Sequence, residues 1–183
     1  MKSMLGSSGL IHTASAVPAA EKARQWNRLA DGMERFHGHF RWEFDRLYNI
    51  ASGGYLAEGL TLHQYLREAE QLSHHLDMHH RIEETYIFPL LAKRMPQFRD
   101  SGKSMGAHIV AHRKIHEGLD KYNNYIAEVK TNPKVYDPEK IRDIMDTFAD
   151  TLFKHLEDEV KDLNGESMQK HGFKLDEIRR FPI

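Results

Sequence analysis

Between Leu62 and Leu90, residues at three- and four-residue spacing form one stripe: Leu62, Tyr65, Ala69, Leu72, Leu76, His79, Glu83, Tyr86 and Leu90. That period turns one face of an α-helix toward a core, which commits the stretch to a long amphipathic helix. Within the stripe stand a histidine and a glutamate. A carboxylate on a buried face costs several kcal/mol unless it is paired, protonated or bound to a metal, so its presence needs a cause. His79 and Glu83 lie one turn apart, close enough to hydrogen-bond each other or to reach a single ion. This helix alone leaves both readings open.

Three further segments repeat the pattern. The first, from about residue 20 to Ile50 and ending before Ser52-Gly53-Gly54, gives Trp26, Ala30, Met33, His37, Phe40, Phe44 and Leu47. His37 continues that stripe and His39 lies off it, so His37 is the inward histidine. The helix containing Leu62 should start at Thr61 as N-cap, loosen at Pro89 and end by Pro96. A third follows Ser101-Gly102 with Met105, His108, His112, Ile115, Leu119, Tyr122, Ile126 and Val129. His108 and His112 are four apart, a spacing at which two imidazoles can share one metal. After the proline-containing loop 131–138, the fourth reads Ile141, Ile144, Phe148, Leu152, His155, Glu159 and Leu163, closed by Gly165. His74 and His80 fall on flanks or in solvent. His75, Tyr86 and His116 lie near the ligand rows and are candidate proton donors.

Four long amphipathic segments with modest loops predict an all-α, up-down-up-down antiparallel four-helix bundle over residues 21–165. Residues 1–20 form a leader, and 166–183 a short helical extension docked on the bundle. Cysteine is absent, which removes disulfides, thiolate zinc sites, iron–sulfur clusters and cysteine nucleophiles together. Any metal is then held by histidine and carboxylate, for which 13 histidines are a large stock, and such ligands favour iron, manganese or zinc. With 26 basic and 27 acidic residues, the net charge of -1 gives no electrostatic reason to expect nucleic acid or an anionic membrane as partner. No apolar run approaches the roughly 20 residues of a membrane span, and no secretory signal is evident, so a cytoplasmic protein is expected.

In such a bundle the stripes converge, bringing together His37, His79, Glu83, His108, His112, His155 and Glu159. Seven ligands exceed one octahedron, so two ions bridged by the two glutamates is the economical arrangement. Three histidines would complete one ion and two the other, leaving a vacancy where dioxygen could bind.

The set His37, His79-x-x-x-Glu83, His108-x-x-x-His112 and His155-x-x-x-Glu159 resembles the hemerythrin family of non-haem di-iron proteins, and the run from His79 to Pro89 resembles the central motif of its bacterial, plant and fungal members. The likeness covers about Trp26 to Leu163. It implies two oxo- or hydroxo-bridged iron ions, replaceable by manganese or zinc in recombinant protein. By the same likeness Glu83 and Glu159 would bridge and the histidines would be terminal ligands. One position departs. Oxygen-carrying hemerythrins end with a histidine and an aspartate five residues later, whereas this chain has a glutamate four later, as in the hemerythrin-like domain of an iron-sensing ubiquitin-ligase subunit. The likeness therefore carries the di-iron site further than it carries reversible transport.

The expected function is dioxygen binding in oxygen or iron handling. The alternatives are a di-iron oxidase or oxygenase using dioxygen or peroxide on a small organic substrate, and an iron or redox sensor. A carrier wants a small apolar pocket around oxygen; an enzyme wants room for a substrate.

Overall fold

The computed structural model describes residues 18–101 and 104–182, and all regular structure among them is helical. In order these are α1 (Ala19–Ile50), α2 (Gly54–Ala57), α3 (Leu62–Ile82), a π-helical turn (Glu83–Ile87), α4 (Phe88–Leu91), α5 (Ala107–Thr131), α6 (Pro138–Leu163), α7 (Gly165–Lys170) and α8 (Leu175–Ile178), with short 3-10 turns at Pro96–Phe98 and Pro133–Val135. The expected leader lies mostly outside the described residues. No described helix is long and apolar enough to cross a membrane.

Local chemistry fixes the helix ends. Helix α1 begins after Pro18, and the chain leaves it through Gly53 at φ 88°, a backbone that costs glycine little and other residues much. Thr61 and Gln64 form a reciprocal capping box at the start of α3, satisfying two amides that the helix cannot. Pro138 opens α6 beneath an Asp137 cap that accepts from the amides of Glu139 and Lys140. At the other end Asn164 terminates α6 and caps α7 in one step, so Gly165 opens the next helix instead of closing this one.

Helices α1, α3, α5 and α6 form a ring in which α1 meets α3 and α6, and α5 meets the same two. Their buried side chains divide into two apolar clusters. One gathers Phe40, Phe44 and Leu47 with Leu72, Leu76, Ile115, Leu119, Leu152 and Leu156. The other gathers Leu29 and Met33 with Ile87, Phe88, Leu91, Ile109 and Leu163, and is completed by Met168, Phe173, Ile178 and Phe181 from the C-terminal extension. Arg28 fastens that extension by donating to the carbonyls of Ile178 and Phe181. Between the clusters every long helix contributes histidine or glutamate, so the polar residues form a layer across the core.

The sequence stripe fails in one stretch. Tyr86 is 61% exposed and Leu90 36% exposed, while Ile87, Phe88 and Leu91 are buried. Pro89 has no amide hydrogen and its ring would clash with the carbonyl one α-turn back, that of Thr85. The backbone widens to relieve this, and the Phe88 amide donates to the Glu83 carbonyl five residues earlier. The extra residue in the turn moves the inward face by one position. Upstream of that turn, in regular α-helix, His80, expected on a flank or in solvent, is at 0% exposure.

Candidate metal centre

His37 comes from the middle of α1, His79 and His80 from the last turn of α3 with Glu83 in the π-turn, His108 and His112 from the first turns of α5, and His155 and Glu159 from α6. All but His79 are buried, and the His79 side chain is 9% exposed. His39 is on the surface, as the stripe required.

Two donor groups result. His37, His79, Glu83 and Glu159 form one; His80, His112 and His155 form the other. In the first, His37 Nε2 lies 3.2 Å from His79 Nε2 and 3.5 Å from Glu159 Oε2, and His79 Nε2 lies 2.8 Å from Glu83 Oε1. In the second, His112 Nε2 lies 3.1 Å from His155 Nε2, and the His80 and His112 rings stack with centroids 3.8 Å apart. The glutamates link the groups, since Glu83 Oε2 is 3.3 Å from His112 Nε2 and Glu159 Oε2 is 3.7 Å from His155 Nε2. Of the seven residues expected as ligands, six fall in these groups and His108 does not.

The nitrogens turned away from the layer are held. His37 Nδ1 donates to the Leu156 carbonyl at 2.9 Å, and His112 Nδ1 lies 2.7 Å from Glu84 Oε1. His155 Nδ1 is 3.3 Å from His108 Nδ1, whose own Nε2 is 2.9 Å from Asp162 Oδ2. His80 Nδ1 is 3.3 Å from His116 Nε2. Outer partners of this kind fix ring orientation and tautomer and leave the remaining nitrogen as a lone pair. His108, Asp162, Glu84 and His116 thus form a supporting shell. His75 bonds Glu43, and Tyr86 faces outward, so of the three candidate proton donors only His116 touches a member of the two groups.

Five inward atoms, by contrast, are orphaned. Among the described residues, His80 Nε2 and all four carboxylate oxygens of Glu83 and Glu159 are buried without an aligned hydrogen-bond partner, although imidazole nitrogens stand nearby. Buried polar atoms are rarely left so. Separations of 2.8–3.7 Å match the edges of coordination polyhedra, because donors ~2.0–2.1 Å from one ion lie about 3 Å apart. The residues fit metal.

Their electrostatics agree. Burial first, then neighbouring His79, pulls His37 down to about 3. Burial and the adjacent His112 likewise hold His80 and His155 well below the usual imidazole range. Burial opposes ionisation of Glu83, but His79 and His112 outweigh it and keep that carboxyl low. Burial and then Glu83 push Glu159 well above its ordinary value, because two bare carboxylates face each other across the layer. A cation between them removes that conflict. Metal binding requires neutral imidazoles, and this core already keeps three of them neutral.

Comparison with known proteins decides the family. The hemerythrin HHE cation binding domain matches residues 28–165. The chain belongs to that family. This hemerythrin-family chain is also 38% identical over 85 residues to the dimeric xanthone biosynthesis cluster protein R11 of Cryptosporiopsis sp. (strain 8999). That similarity spans 46% of this chain and 30% of the relative, so less than a third of the relative's length is represented. No solved structure matches.

Beside the centre, α1 and α3 flank an open cavity of about 510 Å³. Met33, Phe36, Phe40, Met78, Ile82 and Ile87 make its wall largely apolar, and His79 and Glu83 also line it. Sequence reasoning missed this cavity and the inward position of His80. The apolar residues of the first were visible but not their concavity, whereas the second could have been read from an equally regular stripe, Leu72, Leu76, His80, Glu83, Ile87, Leu91.

Proposed function

We propose that this hemerythrin-family chain holds two iron ions in an up-down-up-down bundle and uses them to bind dioxygen and oxidise a small apolar molecule. What carries the reading is the set of imidazoles anchored at one nitrogen and turned into the layer with the other, around two glutamates whose oxygens have no aligned partner. His37 and His79 would hold one ion, His80, His112 and His155 the other, with Glu83 and Glu159 shared. Iron bound there would supply the electrons that dioxygen chemistry needs. The protein's own part is positional. Asp162 orients His108, which orients His155; Glu84 orients His112; and the apolar clusters pack the layer from both sides.

Bare dioxygen binding needs no cavity of some 510 Å³ beside His79 and Glu83, so this space favours an organic co-substrate over simple carriage. The name of the Cryptosporiopsis relative, a biosynthesis cluster protein, points the same way. The test is anaerobic loading with ferrous iron, a metal count, then exposure to oxygen followed by degassing. The expected result is at least two irons per chain and an optical change on oxygenation that degassing does not reverse. Saturation at one iron, or no response to oxygen, would overturn the proposal; full reversal on degassing would reduce it to binding alone.

A further inference from the structure

We infer that His39, Glu43 and His75 form a separate divalent-cation site at the surface, suited to zinc or ferrous iron. His39 and Glu43 are one turn apart on α1, and His75 reaches them from α3. Glu43 Oε1 is 3.4 Å from His39 Nε2 and 3.0 Å from His75 Nδ1, and Oε2 is 3.1 Å from the same nitrogen. All three can present one donor atom within 4.8 Å of the others. An ion ~2.0–2.1 Å from each of three ligands places them about 3.3 Å apart in a tetrahedron, so the ring of donors needs little adjustment to close on a cation.

The Glu43 side chain is only 13% exposed, and no lysine or arginine pairs with it among the described residues. Its charge is instead faced by two imidazoles from different helices, an arrangement that becomes strongly favourable once a dication sits between them. Two imidazoles and one carboxylate are a donor set used by zinc and by non-haem ferrous sites, with positions left for water or ligand. The outward faces of His39 and His75, 53% and 41% exposed, give an ion access from solvent. Both histidines also line the apolar cavity whose wall includes His79 and Glu83. A captured ion therefore borders the space assigned above to a small molecule. None of the three residues belongs to the buried donor groups, so the site stands whether or not that centre carries the chemistry proposed for it.

The experiment is equilibrium dialysis of the metal-depleted full chain against micromolar zinc, comparing wild type with H39A, H75A and E43Q. Each variant is expected to bind one ion fewer than wild type while retaining the buried ions. Alternatively its weakest step should fall by at least the roughly 10–100-fold typical of losing even an outer-shell partner. Because His39 and His75 are surface residues, folding is not at risk, and circular dichroism verifies it. A failed buried centre would lower the count in wild type and variants alike and leave the difference of one intact. Identical stoichiometry and affinity in wild type and all three variants would overturn the inference, leaving a hydrogen-bonded surface cluster.

Discussion

Stripped of metal, the protein should lose stability on acidification from about pH 7.5 to about 5.5, because histidines that stay neutral in the fold take up protons in the unfolded chain. His37 sets the scale, with a folded value near 3 against an unfolded value of 6.5. At pH ~5.5 an unfolded imidazole is about ten-elevenths protonated, which favours unfolding by about 1.4 kcal/mol for each histidine kept neutral when folded. Such a depressed group costs nothing above 6.5, and its penalty on the fold grows as pH falls from 6.5 toward the folded value. His80 and His155 are shifted in the same direction and add to the loss. Two groups oppose it. Burial lowers His112, but Glu83 and Glu84 raise it overall, so it favours the fold as pH falls. Glu159, held high by burial and by Glu83, is relieved by taking a proton. Three such histidines set an upper limit of roughly 4 kcal/mol on the loss, and the two opposing groups bring the net below it, so Tm falls by less than about 8–16 °C for a chain of this size. The assay is thermal unfolding followed by circular dichroism in a strong chelator at the two pH values. A Tm equal at both, or higher at the lower pH, would refute the assignment of three buried neutral imidazoles.

His80→Leu should remain folded and bind one ion fewer than wild type, since it removes the orphaned Nε2 without leaving a large cavity; metal analysis that finds the same number in both would exclude His80 as a ligand. Tyr86→Phe should change neither metal content nor oxygen response, and a marked loss in either would mean that its outward position is wrong. Gly118→Ala should destabilise by about 1–3 kcal/mol, because the new Cβ would meet the Phe148 Cβ at 2.6 Å and push α5 from α6; an unchanged denaturation midpoint would contradict that close approach. Thr61→Ala, which breaks the capping box of α3, should cost about 1 kcal/mol by the same measurement.

What was legible in the chain followed from periodicity. Helix α1 reads correctly from Met33 through His37 to Phe40 because nothing interrupts its α-helical hydrogen bonds, and α6 reads correctly from Phe148 to Glu159 for the same reason. The stripe through α3 was ambiguous. From Leu76 onward the chain offers His79, Glu83, Tyr86, Leu90 or His80, Glu83, Ile87, Leu91, both at three-four spacing. A uniform helix gives no ground for choosing; beyond Glu83 the choice falls on Ile87 and Leu91 through the wider turn at Pro89, whereas His79 and His80, before it, both join donor groups. His108 illustrates a different limit. Its spacing to His112 is that of a ligand pair, yet Asp162, seven residues beyond His155, meets its Nε2, and that contact exists only in three dimensions.

The ambiguity has a chemical meaning. Consecutive residues on a helix point about 100° apart, so His79 and His80 diverge to either side of the direction taken by Glu83, three or four residues later. One imidazole turns toward His37 and the other toward His112 and His155, which is why the two fall in different donor groups. Glu83, lying between them, has one oxygen beside His79 and the other beside His112. A single ion would need only one of the two stripes. A histidine pair followed by a glutamate on a buried helix serves both donor groups at once.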